Sequence, residues 1–413
     1  MNKTKLPNVL VLATTFPRWK NDSEPAFVYN LSKRLAAKGF NITVLAPGAP
    51  HALSYEEMDG LKVYRFSYFY PKKLQKVCYD GGALPNLKSS RLARMELPFF
   101  LLFQFLHIGW IIKKGNIDMI HCHWIVPQGF FCSIFQRIFK IPLILTAHAG
   151  DVFSLNNPIF KRIGKFTISQ SLFCIANSNA TQKAMLAISN GTSPVKIIPM
   201  GVDLDVFNGQ CHGQNIKKKY NINGPILLAV GRFAEKKGFK YLIEAMPLIL
   251  RKCNETKLLI IGFGPLEKSL KDLVAKLNIG GSVIFPEKMS SSELAVYYAS
   301  SDIFVGPSIV DDSGDTEGLG IVFLEALASN TAVVASRVGG ITDFIIDYET
   351  GLLANEKDPE DLARKIMKLI TDKNLRMKIA NKGKKYVENN FSWEIITEQY
   401  FSIYKQILNV RIK

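Results

Sequence analysis

The 413-residue chain is short of cysteine, of long hydrophobic runs and, in its first half, of acids. Its six cysteines, at 78, 122, 132, 174, 211 and 253, form no C-x-x-C pair and have no regular spacing. That pattern fits a reducing compartment and argues against a disulfide framework. The opening stretch MNKTKLPNVLVLATTFP runs straight into a strand-like segment and carries no signal peptide, so a cytoplasmic location is expected. The longest apolar stretch, LPFFLLFQFLHIGWII at 97–112, has sixteen residues and is interrupted by Gln104 and His107. A membrane span needs about twenty. A packed domain helix is therefore expected over 97–112, with surface contact to a membrane as the alternative because Lys113 and Lys114 follow it. The glycine turn G-F-G-P at 262–265 stops short of G-x-G-x-x-G, and no acidic residue is placed for a ribose, which disfavours a nicotinamide cofactor. Nothing is low-complexity or collagen-like.

An apolar fraction of 47% supports a sizeable core, and the length suits two domains. The net charge of +17 is unevenly shared. Residues 1–205 hold 24 Lys+Arg against 11 Asp+Glu, and the remainder 28 against 24. Basic clusters stand at Lys72/Lys73/Lys76, Arg91/Arg94 and Lys161/Arg162/Lys165. No RNA-binding or helix-turn-helix signature accompanies them, so nucleic acid is not the expected partner. An anionic membrane surface is expected instead, with general solubility as the competing explanation.

Short apolar runs at 8–13, 41–46, 117–121, 143–146, 172–176 and 195–199 read as buried parallel strands, and 27–38 as a helix stopped by Gly39. This strand–loop–helix–strand order begins a doubly wound sheet, which binds ligands at strand carboxyl ends. Three groups fall there. His121 and His123 share a strand face, where zinc would need a third ligand. His148 and Asp151 follow the strand at 143–146 in A-H-A-G-D. Arg232 and Lys237 stand in V-G-R-F-A-E-K-K-G, a fork and a point charge that together suit a diphosphate. The aromatic, lysine-bearing stretch 67–86 reads as an exposed loop, either near an acceptor or without a role. Polar residues 208–223 read as a linker.

The stretch 315–340, DTEGLGIVFLEALASNTAVVASRVGG, reads as loop, helix, strand and glycine loop. Amides of Gly318, Leu319 and Gly320 at a helix start favour anions or sugar hydroxyls. Glu317 before the helix and Glu325 on it are spaced to hold two ends of one polyhydroxylated ligand. The plainer alternative is a dipole-stabilising acid followed by an exposed one. Asp311, Asp312 and Asp315 could invite a divalent cation, but clustered loop acids are more often hydrated.

E-G-L-G-I-V-F-L-E-A with V-G-G after it resembles the signature of retaining glycosyltransferases of family 4 (glycosyl transferases group 1). H-C-H-W at 121–124, T-A-H-A-G-D at 146–151, I-P-M-G-V-D-L-D-V-F at 198–207 and V-G-R-x-x-x-x-K-G extend the likeness over nearly the whole chain. The resemblance implies an α/β GT-B architecture, two Rossmann-like doubly wound domains facing across a cleft. It implies an acceptor-binding domain over 1–207, a nucleotide-sugar-binding domain over 224–390, and a final helix at 391–413 crossing back to the first. It implies metal-independent transfer of a hexose from a UDP- or GDP-sugar, with no cofactor. In that frame His148 approaches the donor sugar, Arg232 and Lys237 meet the leaving diphosphate, and Glu317 with residues 318–320 holds the sugar. Glu325 then holds the ribose, while His123 and Asp151 line the site. A lipid-linked or glycan acceptor in surface glycan or glycoconjugate assembly is expected, with the enzyme peripheral on the inner face of the cell membrane. The sequence departs from the family at Phe16-Pro17 and Ser23-Glu24-Pro25, where a glycine pair is common, and at Glu287, where glycine is usual. A nucleotide-sugar epimerase of the same architecture and a basic nucleic-acid-binding protein are the alternative readings.

Overall fold

The computed structural model describes residues 6–20, 22, 24–79, 82–210 and 214–412. Ser23, Gly81 and Cys211, all in stretches discussed above, lie outside them. The chain forms two compact units, one of residues 1–198 with 396–413 and one of 199–395.

The first unit is built on eight strands: β1 Asn8–Leu12, β2 Asn41–Pro47, β3 Tyr55–Met58, β4 Leu61–Phe66, β5 Met119–His123, β6 Leu143–Ala147, β7 Phe173–Ala176 and β8 Val195–Ile197. They lie in the order β3-β4-β2-β1-β5-β6-β7-β8, all parallel except β3, which pairs antiparallel with β4. The second unit carries β9 Ile226–Val230, β10 Lys257–Ile261, β11 Val283–Ile284, β12 Ile303–Gly306, β13 Ala332–Ser336 and β14 Leu352–Ala354, ordered β11-β10-β9-β12-β13-β14 and parallel throughout. Runs such as LILTA and AVVAS are apolar at nearly every position because helices cover both faces of a parallel sheet. Strand order reverses between β1 and β5 in one unit and between β9 and β12 in the other. In sheets of this kind ligands bind beyond the strand carboxyl ends at such switch points.

Several boundaries differ from expectation. The strand expected at 117–121 is Met119–His123, which brings His123 onto the sheet. The helix expected over 97–112 runs from Arg91 to Gly115, because Ser90 caps it by accepting from the Ala93 N–H and Pro98 is accommodated within it. At 25 residues it is long and apolar enough to cross a membrane by length and composition. One face, however, packs Phe100, Gln104, Ile108 and Ile111 into the domain core. The stretch 67–86 is half core: Tyr68, Val77, Cys78 and Tyr79 are buried, and Tyr79 Oη donates to the Pro47 carbonyl at 3.0 Å. Tyr70 and the lysines remain outside.

Residues 199–207 belong to the second unit. The Val202 N–H donates to the Phe391 carbonyl at 2.9 Å, and Gly201 lies against the Trp393 ring. Within the expected linker 208–223 a short helix, Gln214–Lys219, forms. The last helix, Trp393–Ile412, packs Phe401 and Tyr404 edge-on to Phe40 of the first unit at 5.9 and 5.0 Å.

Candidate active site

In the first unit, side-chain alternation along β5 aims His121 and His123 to the same face, with ring centroids 4.3 Å apart. Both are buried. Tyr404 Oη lies 2.8 Å from His121 Nδ1 and Thr146 Oγ1 2.8 Å from its Nε2, so His121 is fully engaged. His123 Nδ1 lies 2.9 Å from His148 Nε2, and the two rings stack at 5.2 Å. His148 follows β6 in a loop fastened by Asp151, whose two oxygens accept from the His148 N–H at 2.9 Å and the Ile125 N–H at 2.8 Å. Trp124 and Ala149 on either side hold φ at +73° and +77°, a region few residues with a Cβ adopt. Such backbone strain gathers at functional loops. The ring of Phe27, just past the β1 loop, sits 4.9 Å from His148.

Burial holds His121 and His148 down at about 3 and pushes His123 well below the ordinary histidine range. All three rings are therefore neutral at pH 7. Burial also pushes Asp151 up to about 6, against backbone hydrogen bonds that pull it down. The direction of the His123–His148 bond follows from His123 Nε2, which is buried without a partner. An orphaned buried N–H is rarer than an unshared acceptor lone pair. The proton thus sits on His123 Nδ1 and is donated to His148 Nε2, which leaves His148 with its N–H on Nδ1. Sequence placed His123 on the ligand-lining surface, whereas the structure encloses it behind His148. Asp151 spends its oxygens on backbone amides rather than offering them outward.

In the second unit the site gathers at the β9/β12 switch point. Lys237, from the loop after β9, donates through Nζ to Glu317 Oε2 at 2.5 Å. Lys236 beside it reaches Asp315 at 3.0 Å and the Thr316 carbonyl at 3.3 Å. The two loops are tied again by the Ile309 N–H donating to the Lys236 carbonyl at 2.8 Å. Glu317 is buried, which raises its pKa, but the charges of Lys237 and Lys236 outweigh that and hold the carboxyl below its usual range. Burial lowers the Arg232 guanidinium from its ordinary value, with the Asp315 charge opposing.

Two glycines make this loop possible. Gly320 caps the helix Ile321–Ala328 at φ +73°, and a Cβ there would meet the Phe323 ring at 2.6 Å. Gly339, in the loop after β13, holds φ +54°, and its Cβ would stand 2.2 Å from the Glu317 carbonyl oxygen. That oxygen accepts from the Gly340 N–H at 2.9 Å, so the V-G-G turn buttresses Glu317 from behind. Gly318 and Leu319 lie buried between these supports. Glu325, just over one turn into the helix, accepts from Tyr298 Oη at 2.9 Å. Burial pushes its carboxyl up to about 7, with the Tyr298 bond opposing.

Asp311 turns inward on its own loop and accepts from the Ser313 and Asp315 N–H groups, while Asp315 is occupied by Lys236. Among the described residues no group of three His, Cys, Asp or Glu side chains is arranged for a metal ion. Sequence reasoning missed Lys236, hidden in a lysine doublet, and the tyrosines 298, 400 and 404. Tyr400 Oη stands 3.5 Å from Thr146 Oγ1. No local pattern marks Tyr400 or Tyr404, which serve residues 250 or more positions away.

Residues 26–206 match Glycosyltransferase Family 4, and residues 213–386 match Glycosyl transferases group 1. An uncharacterised glycosyltransferase of Methanocaldococcus jannaschii is 30% identical over 72% of this chain and 78% of its own. The GDP-mannose-dependent alpha-(1-6)-phosphatidylinositol monomannoside mannosyltransferase of Mycolicibacterium smegmatis is 28% identical over 68% of this chain and 75% of its own. Among solved structures, the sucrose-phosphate synthase of Thermosynechococcus elongatus superposes with a TM-score of 0.79 at 23% identity, covering 98% of this chain and all of that one. With both halves matched, the chain belongs to the group 1/family 4 glycosyltransferases of GT-B fold.

Proposed function

We propose that the protein is a retaining, metal-independent transferase that passes a hexose from a UDP- or GDP-sugar to a lipid-linked or glycan acceptor. The carrying observation is the convergence of Arg232, Lys237 and Glu317 on the β9/β12 switch point. Arg232 and Lys237 meet the charge that develops on the leaving diphosphate, which is electrostatic stabilisation without covalent chemistry. Glu317, set by its lysines and by the V-G-G turn, orients the sugar hydroxyls together with the backbone at 318–320. Glu325 holds the nucleotide ribose. Its carboxyl, poised near neutrality, is able to donate or accept there. His148 offers its Nδ1–H to the sugar near the reacting carbon, and departure and attack on one face retain the anomeric configuration. No metal is required in this scheme, because side-chain cations answer the diphosphate charge and Asp311 and Asp315 are already engaged.

The acceptor reading draws support from the basic first unit and from the mycobacterial relative, whose name specifies a GDP-mannose donor and a phosphatidylinositol monomannoside acceptor. It places the enzyme on the inner face of the cell membrane in surface glycan or glycoconjugate assembly. A thermal-shift panel of UDP-, GDP- and ADP-sugars tests the donor, since a ligand that binds the folded state raises apparent stability by mass action. Stabilisation by a UDP- or GDP-sugar, followed by an α-linked product from an α-linked donor by NMR, is expected. No shift with any nucleotide sugar, or an inverted product, overturns the reading.

A further inference from the structure

The helix Arg91–Gly115 has two faces of different character. Toward the sheet it buries Phe100, Ile108 and Ile111 and encloses Glu96, its one acid. Toward solvent it shows Met95, Phe99, Leu102, Leu106 and Trp110, each 41–68% exposed. Their spacings of four, three, four and four residues make one stripe about 22 Å long. The helix Phe130–Phe139 runs alongside: Phe105 lies 5.5 Å from Phe131 and 4.8 Å from Phe135, and Phe135 also abuts Gly109. It adds exposed Ile138 and Phe139 at the Trp110 end. Apolar residues scattered singly over a surface are ordinary, but a continuous stripe of them marks an interaction site.

Charge identifies the partner. Between residues 82 and 202 the chain has twelve Lys+Arg and three Asp+Glu. Glu96 and Asp151 are buried, and Asp118 is half-buried, accepting from the Asn8 N–H at 2.8 Å. No exposed acid remains on this stretch. Exposed Lys88, Arg91 and Arg94 stand at one end of the stripe, and Lys113 and Lys114 at the other, with Lys114 4.9 Å over the Trp110 ring. A second copy of the same face would bring like charges together, whereas anionic lipid offers both acyl chains and phosphates. We infer that this face docks on an anionic membrane, the stripe lying in the plane of the surface with its apolar side chains in the acyl boundary and its basic heads among the phosphates.

The opposite face is packed on the sheet, so the helix lies on the membrane and does not cross it. Its first turns pack at the carboxyl end of β4, where Phe66 meets Phe100 at 5.3 Å and Phe69 meets Phe99 at 5.9 Å. His148 emerges at that same end of the sheet, four strands or about 19 Å along it, so the docked face and His148 share one end of this unit. This inference rests on the lipid-linked-acceptor reading for its purpose, while the surface stands on exposure and charge alone.

Co-sedimentation with phosphatidylglycerol/phosphatidylcholine vesicles tests it on the full chain, comparing wild type with Leu102→Glu/Leu106→Glu. The wild type is expected to bind in low salt and to release in high salt. The double variant should bind at least tenfold more weakly, with its melting temperature and its thermal shift with UDP or GDP unchanged. Brominated lipid should quench wild-type fluorescence, and Trp110→Phe should remove that quenching, a readout independent of how the double variant folds. Equal binding by variant and wild type overturns the inference. So does a wild type that ignores these vesicles and instead forms a dimer that the double variant dissolves. Loss of the nucleotide shift in the wild type would strike the transferase reading and leave the vesicle result standing.

Discussion

In the first unit the candidate site consists of neutral, stacked histidines, and in the second it consists of lysine–carboxylate pairs. His148 is backed by His123 at 2.9 Å and by no exposed charge on its own element, whereas Glu317 is flanked by Lys237 at 2.5 Å and Lys236. Under the proposed function, the difference follows from what each half would handle. A nucleotide diphosphate arrives with concentrated negative charge, which fixed cations at a strand end stabilise more strongly than water does. A hydroxyl acceptor or sugar carbon has no net charge to answer, so geometry and tautomer do the selecting. Burial lowers the pKa of each histidine and would raise that of Glu317, but the lysines reverse the effect only in the second unit.

The largest effect is expected from breaking the charged half. Lys237→Ala and Arg232→Ala should each lower kcat by about two orders of magnitude or more, roughly 3 kcal/mol of lost charge stabilisation. Steady-state kinetics check this, and wild-type turnover in the double variant would remove the diphosphate assignment. On the neutral side, His148→Ala should cost about a hundredfold in kcat, the range of a single lost positioned donor. His123→Phe keeps the stacked ring but loses the donated proton, and should cost about tenfold in kcat with the donor dissociation constant unchanged. If His123→Phe weakens donor binding instead, the tautomer argument fails.

A finer contrast lies within the second unit. Glu325→Ala should weaken binding of free UDP or GDP by calorimetry, while Glu317→Ala should spare it and impair transfer. Equal losses in both would contradict the separate roles. The smallest effect concerns pH. Glu325, held up at about 7, keeps a proton that the unfolded chain releases near pH 4.5, so its stabilising share is full in acid and is lost as pH rises through 7. His121 and His148, held down near 3, act oppositely: the unfolded chain takes up protons below about 6.5 that the folded one refuses, so stability falls as pH drops from there. Glu325→Gln, which mimics the protonated acid, should therefore gain about 2 °C in melting temperature over wild type at pH 8 and little at pH 5. A constant difference across that range would place the ionisation elsewhere.

The two halves were also unequally legible. Arg232, Lys237, Glu317 and Glu325 sit in contiguous motifs flanked by glycines, because a loop that approaches a ligand closely needs those residue types in sequence order. Lys236 was obscured by its neighbour. The partners of the first half are long-range: His121 is held by Tyr404 across 283 positions, and no spacing rule reaches that far. Strand and helix order was readable from apolar runs, but ends were not. Ser90, an ordinary-looking serine, sets the start of the long helix six residues before its apolar run begins. The assignment of 199–207 depended on Trp393 and Phe391, which only the folded chain brings beside Gly201 and Val202. The stretch 67–86 looked like loop because its aromatics alternate with lysines, yet Tyr68 and Tyr79 are core.

The account turns on the diphosphate being read by Arg232 and Lys237, and calorimetry of nucleoside diphosphate against monophosphate asks that directly. Wild type should bind UDP or GDP at least a hundredfold more tightly than the matching monophosphate, and Arg232→Ala/Lys237→Ala should bring the two within about threefold, the loss of a pair of charge-assisted contacts. A wild type indifferent to the second phosphate, or a double variant that keeps the full preference, would contradict it.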